Sequence, residues 1–109
     1  MCYELKKDSG GKFRFNLKAG NGEIILSSQS YNEKSDALAA IASVRAIGTN
    51  EVNFDRKTSV ANEPFFVLKA LNGQIIGRSE MYSSLYARDK GIASVRNNCT
   101  STTVNDLAP

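Results

Sequence analysis

The chain has 109 residues, 41% hydrophobic and 23% charged, with a formal net charge of +3. Those values fit one ordinary folded domain and exclude a disordered or fibrous chain, and the charge is well short of a dedicated nucleic-acid binder's. Histidine is absent and the only cysteines are Cys2 and Cys99, which removes the commonest general base and leaves too few ligands for a structural zinc site.

The first residues, Met1 to Lys7, lack the apolar centre of an export signal, and no apolar run approaches the ~20 residues a bilayer needs. A cytoplasmic location and two free thiols are therefore expected.

Cys2 to Lys7 alternates, with Tyr3 and Leu5 on one side and Glu4 and Lys6 on the other, which predicts a strand. Asp8-Ser9-Gly10-Gly11 is turn chemistry. Phe13, Phe15, Leu17 and Ala19 then share one face, with Arg14, Asn16 and Lys18 on the other. This is a half-buried strand. Asn21-Gly22 predicts a type I′ hairpin, and a third strand runs from Glu23 to about Ser28. From Asn32, Glu33 or Ser35 to Ala46 the period becomes helical, with Ala37, Leu38, Ile41, Val44 and Ala40 as the apolar stripe and Gly48 as the stop.

The same pattern then returns. Leu17-Lys18-Ala19 with Asn21-Gly22 and Ile24-Ile25 reappears as Leu68-Lys69-Ala70 with Asn72-Gly73 and Ile75-Ile76, an offset of 51. Ile41-Ala42-Ser43-Val44-Arg45 reappears as Ile92-Ala93-Ser94-Val95-Arg96. Glu51 to Ser59, through Val52 and Phe54, is the first strand of the second copy and a candidate to close the first. Phe65 to Ala70 and Gln74 to Ser79 form its hairpin. A helix from about Ser84 to Asn97 follows, striped by Leu85, Ile92 and Val95, with Asp89 and Gly91 where the first helix has Leu38 and Ala40. The mid-helix glycine predicts close packing of that turn on the sheet. Thr103 and Val104 suggest a short closing strand, and Leu107 to Pro109 is expected to fray.

Each half is too small to bury a sufficient core alone. The fold expected is α+β: two tandem β-β-β-α-β repeats, about 1–50 and 51–109, sharing one antiparallel sheet with two helices on it. An intrachain pseudo-dimer of this kind is expected to be a monomer.

The Phe13-x-Phe15-x-Leu17-Lys18-Ala19-x-Asn21-Gly22-x-Ile24-Ile25 run, the Ile92-Ala93-Ser94-Val95-Arg96 helix end and the Ser-x-x-Tyr links (Ser28 to Tyr31, Ser79 to Tyr82) resemble the YegP-like family, DUF1508 or UPF0339. The resemblance covers nearly the whole chain. It implies that the repeats exchange closing strands, at Val52 to Asp55 and Thr103 to Asn105. It implies no activity and supplies no catalytic residue. The family's Lys-Gly-Ile helix centre stands here as Lys90-Gly91-Ile92 in the second copy and as Ala39-Ala40-Ile41 in the first.

With helices on one face, the other face should carry Arg14, Asn16, Lys18 and Ile25 from the first copy and Phe65, Val67, Lys69, Ile76 and Arg78 from the second. Cations around an aromatic can hold single-stranded nucleic acid, so Arg14, Lys18, Phe65, Lys69 and Arg78 are the candidate residues for a polyanion face. Against this, Phe65, Val67 and Ile76 could pack under loops or the exchanged strand, and Lys18 and Lys69 could guard strand edges. Tyr31 and Tyr82 read as core-edge residues, and Arg45 and Arg96 as partners of the helix dipoles. Ser43 and Ser94 lack any histidine to activate them. The functions left are a non-catalytic binding or interaction module with an unidentified partner, or a weak binder of nucleic acid or another polyanion; no enzyme, cofactor or metal is expected.

Overall fold

The computed structural model describes residues 1–108. Its strands are β1 (Cys2–Lys7), β2 (Phe13–Lys18), β3 (Ile24–Ser28), β4 (Phe54–Thr58), β5 (Pro64–Lys69), β6 (Ile75–Arg78) and β7 (Val104–Asp106). Two helices, α1 (Lys34–Ile47) and α2 (Leu85–Asn98), follow β3 and β6. All seven strands join one sheet in the order β4-β5-β6-β3-β2-β1-β7. The pairings are antiparallel except the last, where β7 runs parallel to β1. The second repeat thus returns its closing strand to the first. The reverse exchange is not a separate strand: Glu51–Asn53 forms a 3-10 turn that leads straight into β4, and Val52 is 79% exposed.

The repeats meet where β3 pairs with β6, Ser27 opposite Arg78 and Ser28 opposite Gly77. Ser27 and Arg78 are equivalent positions in the two copies, so a local two-fold axis passes through their pairing. Leu26 and Gly77 are also equivalent, and a Cβ on Gly77 would lie 2.8 Å from Leu26 Cγ. A second such pair closes the helix ends: a Cβ on Gly48 would come 2.9 Å from Sγ of Cys99, its counterpart. Gly48 caps α1 with φ −72°, so the glycine is needed for closeness and not for a left-handed turn.

Four hairpin turns share one build. Asp8, Ala19, Ser59 and Ala70 each exchange backbone hydrogen bonds with the residues three and four ahead. The last turn residue, Gly11, Gly22, Asn62 or Gly73, has φ between 68° and 86°. The Asn-Gly hairpins are therefore three-residue loops with a left-handed glycine, not the two-residue type I′ turns predicted. Asn21 and Asn72 serve the turns by accepting from the backbone N–H of Glu23 and Gln74 at 3.1 and 3.0 Å.

One core lies between the sheet and both helices and includes Tyr3, Leu5, Phe15, Leu17, Leu26, Ile41, Val44, Phe66, Leu68, Ile92 and Val95. Equivalent aromatic pairs, Tyr3–Phe15 and Phe54–Phe66, pack edge to face with centroids 5.9 and 5.6 Å apart. The Ser-x-x-Tyr link has a structural cause. Ser28 Oγ accepts from Phe15 N–H and Ser79 Oγ from Phe66 N–H, at 2.9 and 3.0 Å, while Tyr31 and Tyr82 N–H donate to Phe13 and Pro64 carbonyls. Both tyrosines sit half-buried at the edge of the core.

Each helical stripe loses one expected residue, since Leu38 is 43% and Leu85 60% exposed. Ala40 packs inward as expected, and Arg88, outside the expected stripe of α2, turns inward too. Asp89 faces the sheet edge and binds Arg56 at 2.9 Å. Ser84 caps α2 through Ala87 N–H, whereas Glu33 gives α1 no side-chain cap. The arginines near the helix ends do more than meet the dipole, because each reaches the other repeat. Arg45 Nε donates to Ser101 O at 2.8 Å, and Arg96 Nε to Thr49 O at 3.1 Å. The chain's end is not frayed as far as Ala108, which is buried and accepts from Lys34 Nζ; Pro109 lies outside the described residues.

Tyr3 donates its hydroxyl to Cys99 O at 2.6 Å and lies under the Arg45 guanidinium, 5.2 Å from the ring centroid. Burial pushes the phenol well above its ordinary value. The unfolded chain ionises near pH 10, so the native state's advantage is complete below that pH and declines as pH rises above it. Urea unfolding from pH 8 to 11 should show a decline to which the Cys99 thiol and the Tyr31 and Tyr82 phenols, all pushed up by burial, also contribute. Tyr3→Phe should lessen it while costing about 1–2 kcal/mol at neutral pH for the unpaired Cys99 carbonyl.

Candidate functional site

The face away from the helices is built by strand alternation. It receives Glu4 and Lys6 from β1, Arg14, Asn16 and Lys18 from β2, Ser27 from β3, Arg78 from β6, Phe65, Val67 and Lys69 from β5, and Asp55 and Lys57 from β4. Ile25 and Ile76 do not belong to it. The register slips by one residue at Leu17/Lys18 and again at Leu68/Lys69. These bulges set Ile24 opposite Lys18 and Ile75 opposite Lys69, and both Ile25 and Ile76 join the core.

On this face the strands present six cations and two carboxylates, an excess of four positive charges in a chain whose total is +3. The rest of the molecule is close to neutral. Two equivalent clusters lie on it. Glu4 sits between Lys6 and Lys18, at 3.0 and 3.1 Å. Asp55 sits between Lys69 and Lys57, at 3.0 and 3.5 Å. The Lys6 and Lys18 ammonium groups hold the Glu4 carboxyl below its usual range, and Lys69 leads in doing the same for Asp55. Buried Glu4 Oε1 has no well-directed hydrogen bond, and Lys6 compensates it as an ion pair. Lys18 and Lys69 lie on β2 and β5, which are interior strands, so they do not guard edges. Each adds a charge above a carboxylate that one lysine already neutralises.

Between the clusters lies the seam. Arg14 and Arg78 approach it from non-equivalent positions and line one groove of about 410 Å³ with Ile24, Ser27 and Glu80. A neighbouring hollow of about 340 Å³ shares Arg14, Ile24 and Ser27 and extends the furrow to Lys6 and Lys7. Both arginines are exposed, and among the described residues neither pairs with a carboxylate. Arg14 donates only a long bond, 3.4 Å, to Ser28 O. Ser27 Oγ donates to Asn16 Oδ1 at 2.8 Å beneath them.

Of the five residues expected on the polyanion face, all five lie on it, but only Arg14 and Arg78 meet in one groove. Lys18 and Lys69 sit in the flanking clusters. Phe65 is covered: the Arg78 guanidinium stands 5.6 Å from its ring centroid and the residue is 9% exposed. Val67 is buried beside it, so no bare aromatic is left for a base to stack on. Sequence reasoning missed Glu4, Lys6, Asp55 and Lys57 as parts of the site. The offset of 51 places acid on acid and lysine on lysine, and that signal could have found them.

Groups of three or more His, Cys, Asp or Glu side chains able to hold a metal do not occur among the described residues, and no helix is long and apolar enough to cross a membrane. Cys2 and Cys99 are both free, and Cys99 is buried.

Comparison with known proteins places this architecture. The family model described as "Domain of unknown function (DUF1508)" matches twice, at residues 8–55 and 59–106. The UPF0339 protein YegP of Yersinia pestis is 52% identical over 105 residues, covering 96% of this chain and 94% of its own. YegP of Escherichia coli K12 is 50% identical over 104 residues, covering 95% and 94%. The solution NMR structure of E. coli YegP, a protein of unknown function, superposes with a TM-score of 0.93 at 49% identity, covering 97% of this chain and 91% of that one. That of a UPF0339 protein from Shewanella oneidensis gives 0.92 at 49% identity, covering 97% and 90%. With both copies matched, the overall fold superposed and about half its residues shared along nearly its full length, the chain belongs to the DUF1508 family, as a YegP-like tandem member.

Proposed function

We propose that the protein is a small non-catalytic binding module, working as a single chain, that holds a polyanion against the open face of its sheet. The observation that carries this reading is the pair of exposed arginines without carboxylate partners, set in a furrow between two lysine-rich clusters. Charge of one sign gathered on one face concentrates an oppositely charged ligand there. With Phe65 covered, the face offers charge and hydrogen bonds but no stacking platform. Phosphates would therefore dominate affinity, and base identity would count for little. The non-catalytic part rests on chemistry. The chain has no histidine, and the carboxylates of the face are held ionised by lysines, which makes them poor proton donors near neutral pH.

Titration with a single-stranded oligonucleotide at several salt concentrations tests this. Binding in the low micromolar range at low salt should weaken linearly on a log–log plot. Arg14→Ala/Arg78→Ala should reduce the slope by about 1.4, two phosphate contacts' worth, with little change in stability. Absence of salt-sensitive binding at that concentration would end the proposal.

A further inference from the structure

The sheet's two edges should match by internal symmetry, and they do not. At one edge β7 lies parallel to β1, with Tyr3 opposite Val104 and Leu5 opposite Asp106. Leu107 N–H donates to Leu5 O at 2.8 Å, and Tyr3 N–H to Thr103 O at 3.0 Å. At the other edge Phe54 and Arg56 stand where the first copy has Tyr3 and Leu5. They pair inward with Leu68 and Phe66 as Tyr3 and Leu5 pair with Leu17 and Phe15. Outside β4, among the described residues, there is no strand. The first copy cannot supply one, because the segment equivalent to β7, residues 53–55, is spent in the 3-10 turn and β4 itself.

The vacant seat is usable. Phe54 N–H is taken by Glu51 O within the turn, which fills the first rung. The N–H and C=O of Arg56 point outward, as those of Leu5 do toward β7. The surroundings also say what would fit. Over β7, α1 sends Lys34 to Asp106 at 2.6 Å. The counterpart of Lys34 on α2 is Leu85, 60% exposed, and Tyr86 beside it is 74% exposed. At the opposite end of the seat Val52 is exposed too. Beside them Arg56 is held by Glu51 and Asp89, both at 2.9 Å, so its charge is already met within the chain. A guest strand would lie along that ion network and meet Leu85 where β7 meets Lys34.

We propose that the β4 edge is a docking site for an extended peptide of a partner protein, added as an eighth strand parallel to β4. Its pattern is apolar–polar–apolar, the first apolar residue beside Phe54, as Val104 lies beside Tyr3, and the second beneath Leu85. Backbone bonds to Arg56 fix the register and alternate side chains give the selectivity, the logic of strand addition at a sheet edge. This surface is separate from the basic face, and neither depends on the other.

The test uses two synthetic peptides and the isotope-labelled full-length protein. One peptide copies Ser101–Ala108; the other carries Asp106→Val. The Val-bearing peptide should shift the amide signals of β4, slow exchange of Arg56 N–H and bind about tenfold tighter than the copy, the size of one buried Val side chain. In Leu85→Lys, which restores the lysine of the first repeat, the preference should invert toward the Asp-bearing copy. No β4 shift with either peptide at millimolar concentration overturns the proposal. So do shifts confined to β1 and β7, a preference indifferent to Leu85→Lys, or a doubled mass with Arg56 N–H already protected in the absence of peptide, since the occupant would then be a second copy.

Discussion

Leu26→Ala is expected to destabilise the protein by about 3–4 kcal/mol, the middle of the range for a buried leucine. Leu26 is fully buried at the seam between the repeats and fills the space that its counterpart Gly77 leaves open. Gly77→Ala should also destabilise, by about 1–3 kcal/mol, because the new Cβ would lie 2.8 Å from Leu26 Cγ and 3.0 Å from Cδ1 and Cδ2. The two changes meet in one cavity, so the double variant Leu26→Ala/Gly77→Ala should cost less than the sum of the singles, with a coupling of about 0.5–3 kcal/mol. The exchange Leu26→Gly/Gly77→Leu supplies the same side chain from the opposite strand and should be more stable than Leu26→Ala. Urea denaturation of the four variants measures all of this. The physical point is that equivalent positions near the axis need unlike residues. Two leucines would collide and two glycines would leave a void. A fused chain can hold one of each, and Gly48 against Cys99 shows the same solution at the helix ends.

Gly91→Ala should lower the melting temperature by roughly 8–16 °C, a cost of about 2 kcal/mol for a domain of this size. Helix propensity alone argues the reverse, since alanine is favoured over glycine by about 1 kcal/mol. The local geometry decides. An added Cβ would stand 2.2 Å from Tyr82 Oη, 2.6 Å from its Cζ and 3.2 Å from Phe66 Cε2. The Tyr82 ring is stacked on Phe66, centroids 6.2 Å apart and planes 11° from parallel, so swinging it aside breaks that stack. Overpacking of this kind costs more than propensity returns. Tyr82→Phe removes the nearest atom and should recover part of the loss in the double variant. Ala40→Gly, the equivalent site in α1, should simply lose about 1 kcal/mol. Thermal melts followed by circular dichroism separate these outcomes.

Much of this was legible because it is periodic. The offset of 51, the alternation in Phe13 to Lys18 and Phe65 to Lys69, the turn residues and the two helical stripes define strands, helices and their order. The close packing announced by Gly91 is also present. What failed did so where a contact crosses the seam or a period slips. One extra residue in β3 and in β6 turns Ile25 and Ile76 into the core, and strict alternation cannot see a bulge. Leu38 and Leu85 fall on the helical stripe by spacing, yet both stay exposed, since period alone does not say how wide a strip of each helix the sheet covers. Arg45 and Arg96 read as dipole partners because their acceptors, Ser101 and Thr49 carbonyls, belong to the other repeat. The parallel sense of β7 depends on a crossover from β6 past β3, β2 and β1 that no local pattern encodes. For the candidate face, the cations were readable from strand parity. The cover on Phe65 was not, since Arg78 lies on a neighbouring strand whose register only the fold sets.

Two half-sized repeats forming one cooperative unit is the claim on which the rest depends, and native-state hydrogen exchange on Gly77→Ala tests it most directly. The substitution sits in the second repeat. If the sheet is one unit, the slowest amides of β2 and β5 report a single global opening energy in the parent protein, and both fall by the same amount in the variant. Loss of protection in β5 with β2 left at its parent value would mean that the repeats open separately, and would contradict the shared core.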